Sequence, residues 1–152
     1  MNRSFFGLPG GAGNTDVSCV HVAMSNGFGT ISTKHRRFLQ VVLNIGTEII
    51  YDDSVSYGAS FRLASAGRYA MTYVDSGNAA ENIGISLNSL LGTTSVQSIP
   101  ATERVANSVS ANVNYIISAA VTRWFPAGSI IRPHSDGLPV GTDNTMFVIT
   151  KL

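Results

Sequence analysis

Apolar and polar residues alternate in short runs along the chain, and Gly, Asn, Asp and Pro break the runs at close intervals. A period of two puts successive side chains on opposite faces of an extended backbone, so each run reads as a strand with one covered face. Val17 to Met24 is the first such run, and the cluster Ser25-Asn26-Gly27-Phe28-Gly29 is predicted to turn the chain. Phe38 to Ile45 follows and ends at Gly46; Thr47 to Tyr51 is short and stops at Asp52-Asp53. Ser60 to Leu63 leads through Ala64-Ser65-Ala66-Gly67 into Arg68 to Val74, where Tyr69, Met71 and Tyr73 share one face. Asp75-Ser76-Gly77-Asn78 is predicted to turn, and Ile83 to Leu87 alternates again. Asn112 to Ser118 leads into the long run before Trp124, the Pro126-Ala127-Gly128 turn precedes Ser129 to Pro133, and Met146 to Leu152 forms a last strand whose carboxyl end is stitched into a sheet. Ala101 to Ser108 fits one helical turn or part of a strand, and its β-branched and small residues favour the strand. No segment carries a capped helical stripe. About eight to ten strands without helices predict a sandwich or a barrel.

The segment before the first strand departs from this pattern. Phe5, Phe6 and Leu8 precede the glycine-rich Pro9-Gly10-Gly11-Ala12-Gly13-Asn14. Two adjacent phenylalanines on a glycine-rich tether are unfavourable in water, so residues 1–15 read as an arm that docks on its own domain or on a neighbouring subunit. Residues 16–152 form the folded domain. The arm lacks the Gly-Lys-Ser/Thr of a phosphate-cradling loop.

Composition narrows the function classes. The 152 residues suffice for one domain with a core, 44% being hydrophobic. Charged residues make up only 12%, about half the usual share. Such a surface either faces partners or is a neutral, hydroxyl-rich β surface of the extracellular and virion kind. A net charge of +1 argues against a nucleic-acid partner, and the one basic run, Lys34-His35-Arg36-Arg37, reads as a solvated loop capping a strand. Cys19 is the single cysteine, so no intrachain disulfide forms, and its apolar surroundings favour an inert thiol. No signal peptide and no run long enough for a membrane helix is visible, which predicts synthesis and assembly in a cytoplasm with no membrane partner.

Catalytic patterns are weak. His21, His35 and His134 lie far apart and form no zinc spacing; His21 reads as a strand residue, His35 as a loop residue and His134 as part of a turn. Neighbouring His134, Ser135 and Asp136 point in different directions and make a poor triad. Gly-x-Ser-x-Gly is absent. Asp52, Asp53 and Asp75 suit turns better than a calcium loop, and no paired carboxylates mark a glycosidase cleft. The sequence therefore predicts no enzyme, no cofactor and no metal.

From Thr47 onward the order of motifs resembles the jelly roll of the tumour-necrosis-factor superfamily and of complement-type globular heads. Ser60-Phe61-Arg62-Leu63-Ala64-Ser65-Ala66-Gly67-Arg68-Tyr69 resembles that family's "F-x-x-x-x-x-G-x-Y". Trp124 to Ile131 is similar to its late strand, Ala-Gly turn and following strand, with Ser129 in place of the usual Asp, and Phe147-Val148-Ile149 is similar to its closing strand. The resemblance covers about the last two thirds of the chain and implies an all-β jelly-roll sandwich, assembled as a trimer, with a dimer as the alternative. In such a fold Phe61, Tyr69, Trp124 and Phe147 are predicted to fill the layer between the sheets. Tyr57, Tyr73 and Tyr115, with Phe5, Phe6 and Leu8 of the arm, are candidates for subunit contact, since tyrosine suits surfaces dry at one end and wet at the other.

Small jelly rolls of this Ser/Thr/Asn/Gly texture also resemble virion proteins of tailed bacteriophages. That implies a structural virion component, foremost a decoration (cement) protein bound to the major capsid protein. The alternative is a fibre tip or collar that binds a host surface ligand through loops such as Ser76 to Asn82 and Leu138 to Asn144. A small enzyme ranks third.

Overall fold

The structure, a computed structural model, describes residues 17–77, 81–110, 115–137 and 144–152. Among them are ten strands and no helix: β1 (Cys19–Phe28), β2 (Arg36–Ile45), β3 (Ile49–Ser54), β4 (Gly58–Leu63), β5 (Gly67–Gly77), β6 (Glu81–Leu87), β7 (Arg104–Ser110), β8 (Tyr115–Phe125), β9 (Ile130–Ser135) and β10 (Met146–Lys151). They form two five-stranded antiparallel sheets, ordered β2-β1-β10-β5-β8 and β3-β4-β9-β6-β7. The strands of each sheet come from distant parts of the chain, as in a jelly roll.

Alternation decides the core. On β5, Tyr69, Met71 and Tyr73 are buried while Ala70, Thr72 and Val74 are half-buried on the other face. Val20 and Val22 of β1 and Phe147 and Ile149 of β10 join them from the same sheet; Phe61, Leu63, Ile83, Ile85 and Ile131 meet them from the other. A chain of rings crosses the layer, with Tyr51 to Phe61 centroids 5.0 Å apart, Phe61 to Phe147 4.5 Å and Phe147 to Tyr73 6.3 Å. Each such pair adds about 0.5–1.5 kcal/mol beyond its buried area. The last strand sits inside its sheet, paired to β1 on one side and β5 on the other.

Several expectations are corrected here. Trp124 does not fill the inter-sheet layer: it is 58% exposed, because Phe125, the next residue along β8, takes the inward position. Asp52 and Asp53 do not end their strand; β3 runs on to Ser54, and the turn falls at Val55-Ser56-Tyr57. Asp75 does not begin a turn, since β5 continues through Gly77 in register with β8. Residues 101–103 form a turn and the strand starts at Arg104. The arm, with Phe5, Phe6 and Leu8, lies outside the described residues, as do residues 78–80 and 138–143 of the two loops proposed for ligand contact; Ser76 and Gly77 belong to β5, and Glu81 and Asn82 to β6.

Candidate functional site

The basic run 34–37 is not a solvated loop. Arg36, the first residue of β2, is 0% exposed and spans the gap between the sheets. Its Nε donates to Asp75 Oδ2 at 3.0 Å and to the Tyr73 hydroxyl at 3.3 Å, and its Nη2 is ion-paired with Asp75. Further donors reach Ser25 Oγ at 3.4 Å and Ser135 Oγ at 3.2 Å, and the guanidinium lies 4.2 Å from the Phe28 ring centroid. Glu81, buried on β6, closes the cluster 4.0 Å from Nη2 and accepts from Ser135 Oγ. Burial disfavours the charge on Arg36, but Tyr73 and Asp75 more than offset it and hold the guanidinium protonated. Tyr73 is pushed well above the usual phenol range by burial and then by Asp75, so it stays a donor. Asp75 also accepts from Thr145 Oγ1 at 2.9 Å and from the Ser76 amide at 2.9 Å. Buried charge is tolerated only when paired and hydrogen-bonded, and this cluster ties β1, β2, β5, β6 and β9 together. It is closed to solvent and holds the fold.

Tyr73 is thus corrected as a contact residue, since its ring and hydroxyl are spent inside the domain. Tyr57 is 53% exposed in the β3–β4 turn. Tyr115 begins β8 opposite Gly77, and its side chain lies outside the described residues.

His35 and His134, expected apart in a loop and a turn, meet as an isolated bridge with ring centroids 4.8 Å apart. His35 Nδ1 lies 3.2 Å from the Tyr57 carbonyl and His134 Nε2 2.7 Å from the Thr94 carbonyl. A carbonyl only accepts, so these nitrogens carry the protons. The other nitrogens, His35 Nε2 and His134 Nδ1, are buried lone pairs without a partner among the described residues. Burial, then the nearby His134 and Arg132, lowers His35 to about 3; burial also lowers His134. Both rings are neutral at pH 7. His134, Ser135 and Asp136 turn to separate partners: the Thr94 carbonyl, the Arg36–Glu81 cluster, and Asn82 with Ser95. Two of the three aspartates weighed for calcium pair with arginine, Asp75 with Arg36 and Asp53 with Arg37 at 3.0 Å, and the third, Asp52, is exposed. Among the described residues no three His, Cys, Asp or Glu side chains are placed to hold a metal ion.

Two surfaces stand out. On the outer face of the first sheet, registered rows cross β1, β10, β5 and β8: Cys19-Thr150-Ala70-Thr122, His21-Val148-Thr72-Ala120 and Ala23-Met146-Val74-Ser118. No carboxylate, lysine or arginine stands among these twelve residues. Trp124 extends the face along β8, opposite Arg68 at the rim. Beside it the edge strand β2 exposes Leu39, Val41, Val42, Leu43 and Ile45, bulged where Val42 lacks a partner. On the second sheet a recess runs between the β3–β4 turn, Arg132 of β9 and the segment 89–93.

No signal in the sequence marks Arg36 as buried or pairs the two histidines, because both depend on contacts between distant residues. The charge-free face was legible only as a low charge count.

No family model and no curated protein matches the chain. Among solved structures it is similar to murine APRIL in crystals at pH 8.5, with 16% identity, a TM-score of 0.56, and coverage of 90% of this chain and 99% of that one. A second structure of murine APRIL, at pH 8.0, gives 15% identity and a TM-score of 0.54 over the same shares. At this identity the likeness establishes the fold: the chain is a jelly-roll sandwich of the tumour-necrosis-factor type.

Proposed function

We propose that the protein is a structural component of a virion, a decoration protein that assembles as a homotrimer and stabilises a phage head by binding the assembled shell. The observation that carries the oligomer is the charge-free outer face of β1, β10, β5 and β8 beside the apolar edge of β2. Copies meet across such a face without like-charge repulsion. An exposed apolar edge strand invites pairing unless something covers it. The tumour-necrosis-factor-type fold supports a three-fold arrangement by resemblance, and the Ser/Thr/Asn/Gly texture supports a virion surface. Binding to the shell and not to its free subunits stabilises the shell by mass action. The mechanism needs no catalytic group.

Light scattering on the full chain is expected to give about 48 kDa, three times the 16.1 kDa chain. Ala120→Glu, placed on the exposed face of β8, is expected to yield a folded monomer. A monomeric native chain, or an unchanged mass for Ala120→Glu, would refute assembly through this face. Electron microscopy of purified particles tests the location: density over the head supports a decoration protein, and density at the tail replaces it with the fibre-tip reading. Deleting residues 1–13 is expected to keep the trimer and lose binding to particles; full occupancy by the truncated chain would remove the arm from the mechanism.

A further inference from the structure

The recess on the second sheet has a composition that selects a ligand class. Its deeper part, about 230 Å3, is lined by Ser32, His35, Ser89, Thr93, Tyr57 and Arg132. A shallower part, about 300 Å3, shares Tyr57, Leu90 and Arg132 and adds Asp52, Ser54 and Ser60. The two form one groove of the size that small ligands occupy. Among the described residues the Arg132 guanidinium has no hydrogen bond or ion pair, although it is half-buried. Burial weakens its charge while Asp52, exposed across the groove, supports it through space. Leu90 is 88% exposed at the mouth and the Tyr57 ring stands half out of the surface. His35 lines the deep part with a neutral ring, and its Nε2 lone pair lacks a partner.

These groups exclude more than they admit. An anion meets Arg132 but also the Asp52 carboxylate. A cation meets Asp52 but also Arg132. An apolar ligand strips water from six hydroxyl-bearing side chains and replaces none of their hydrogen bonds. A neutral group that donates and accepts at once satisfies all of them. Sugar hydroxyls do this, accepting hydrogen bonds from Arg132 and donating them to Asp52, and the apolar face of a pyranose stacks on an aromatic ring such as Tyr57.

We propose that the groove between the β3–β4 turn, Arg132 and the segment 89–93 binds a neutral saccharide, with Arg132 and Asp52 fixing its hydroxyls and Tyr57 as its stacking platform. The proposal stands apart from where on a particle the protein sits.

The test is an array of neutral hexose and N-acetylhexosamine oligosaccharides beside sialylated and uronic-acid glycans, probed with the full chain. The strongest neutral hit is then titrated by calorimetry. Retention of neutral glycans is expected, with Tyr57→Ala and Arg132→Met each weakening the titrated hit at least tenfold. Circular dichroism confirms that the variants fold, and Tyr57→Ala, in an exposed turn, keeps the test open if Arg132→Met does not. Val109→Ser, exposed on the far edge strand β7, serves as the control and keeps full affinity. Retention of acidic glycans alone, no retention of any glycan, or a neutral hit indifferent to Tyr57→Ala would each overturn the proposal.

Discussion

Arg36→Met isolates the contribution of the buried charge cluster. The substitution keeps much of the side chain's volume and removes the cation that is ion-paired with two buried carboxylates, Asp75 and Glu81. Breaking a buried ion pair from one side costs about 3–5 kcal/mol, because the partner charge is left uncompensated. Two features of the cluster set the position within that range. Asp75 keeps three donors, Tyr73 Oη at 2.6 Å, Thr145 Oγ1 at 2.9 Å and the Ser76 amide at 2.9 Å, which soften the loss. Against this, the contact with Phe28 disappears, worth about 0.5–2 kcal/mol, and Ser25 and Ser135 each lose a charged donor. A loss of about 3–4 kcal/mol is expected, a large share of the roughly 5–15 kcal/mol by which a domain is stable. Urea denaturation followed by circular dichroism, at one fixed protomer concentration, measures it. The double variant Arg36→Met/Asp75→Asn removes both ends of the pair and is expected to recover at least about 1 kcal/mol relative to the sum of the single losses. A single loss below about 1 kcal/mol, or strictly additive variants, would show that the cluster does not hold the sheets together as its geometry implies.

Three further outcomes follow from the same contacts. The folded protein holds His35 neutral down to about pH 3 while the unfolded chain takes up a proton near pH 6.5, so stability is complete above about 6.5 and declines as the pH falls towards 3. The slope approaches about 1.4 kcal/mol per pH unit for His35, with His134 adding in the same direction; urea midpoints between pH 7 and 4.5 should fall, and less steeply in His35→Gln, whereas equal slopes would exclude the pair as the cause. Gly58→Ala forces a side chain onto a backbone at φ +76°, with its Cβ 2.6 Å from that of His35, so a loss of at least about 1–3 kcal/mol is expected in thermal melts, and an unshifted midpoint would contradict the turn geometry. Tyr73→Phe removes the phenol that donates to Asp75 and should cost about 1–3 kcal/mol, while Tyr57→Phe at the surface should change stability by less than about 0.5 kcal/mol; equal effects would return Tyr73 to the surface.

The strands were legible in the sequence because alternation is a local property of a backbone with a covered face. The all-β class followed from it, and Phe61, Tyr69 and Phe147 hold the inward positions that the jelly-roll resemblance implies. Parity alone does not say which of two faces is covered, and so Trp124 was placed inside when its neighbour Phe125 holds that position. Charge was harder still. Arg36 and Asp75 lie 39 residues apart and each, alone in the sequence, looks like a polar loop residue. Only the closing of one sheet over the other brings a guanidinium, a phenol and two carboxylates close enough for burial to become tolerable. His35 and His134 meet for the same reason, 99 residues apart, and Arg132 gains its groove only where β9 passes the β3–β4 turn. The sequence by itself determined the strands and their two alternating faces, since that period needs no partner; tertiary structure decided which face is covered and which polar groups are buried, paired or presented, since those depend on free energies shared between residues that the chain order keeps apart.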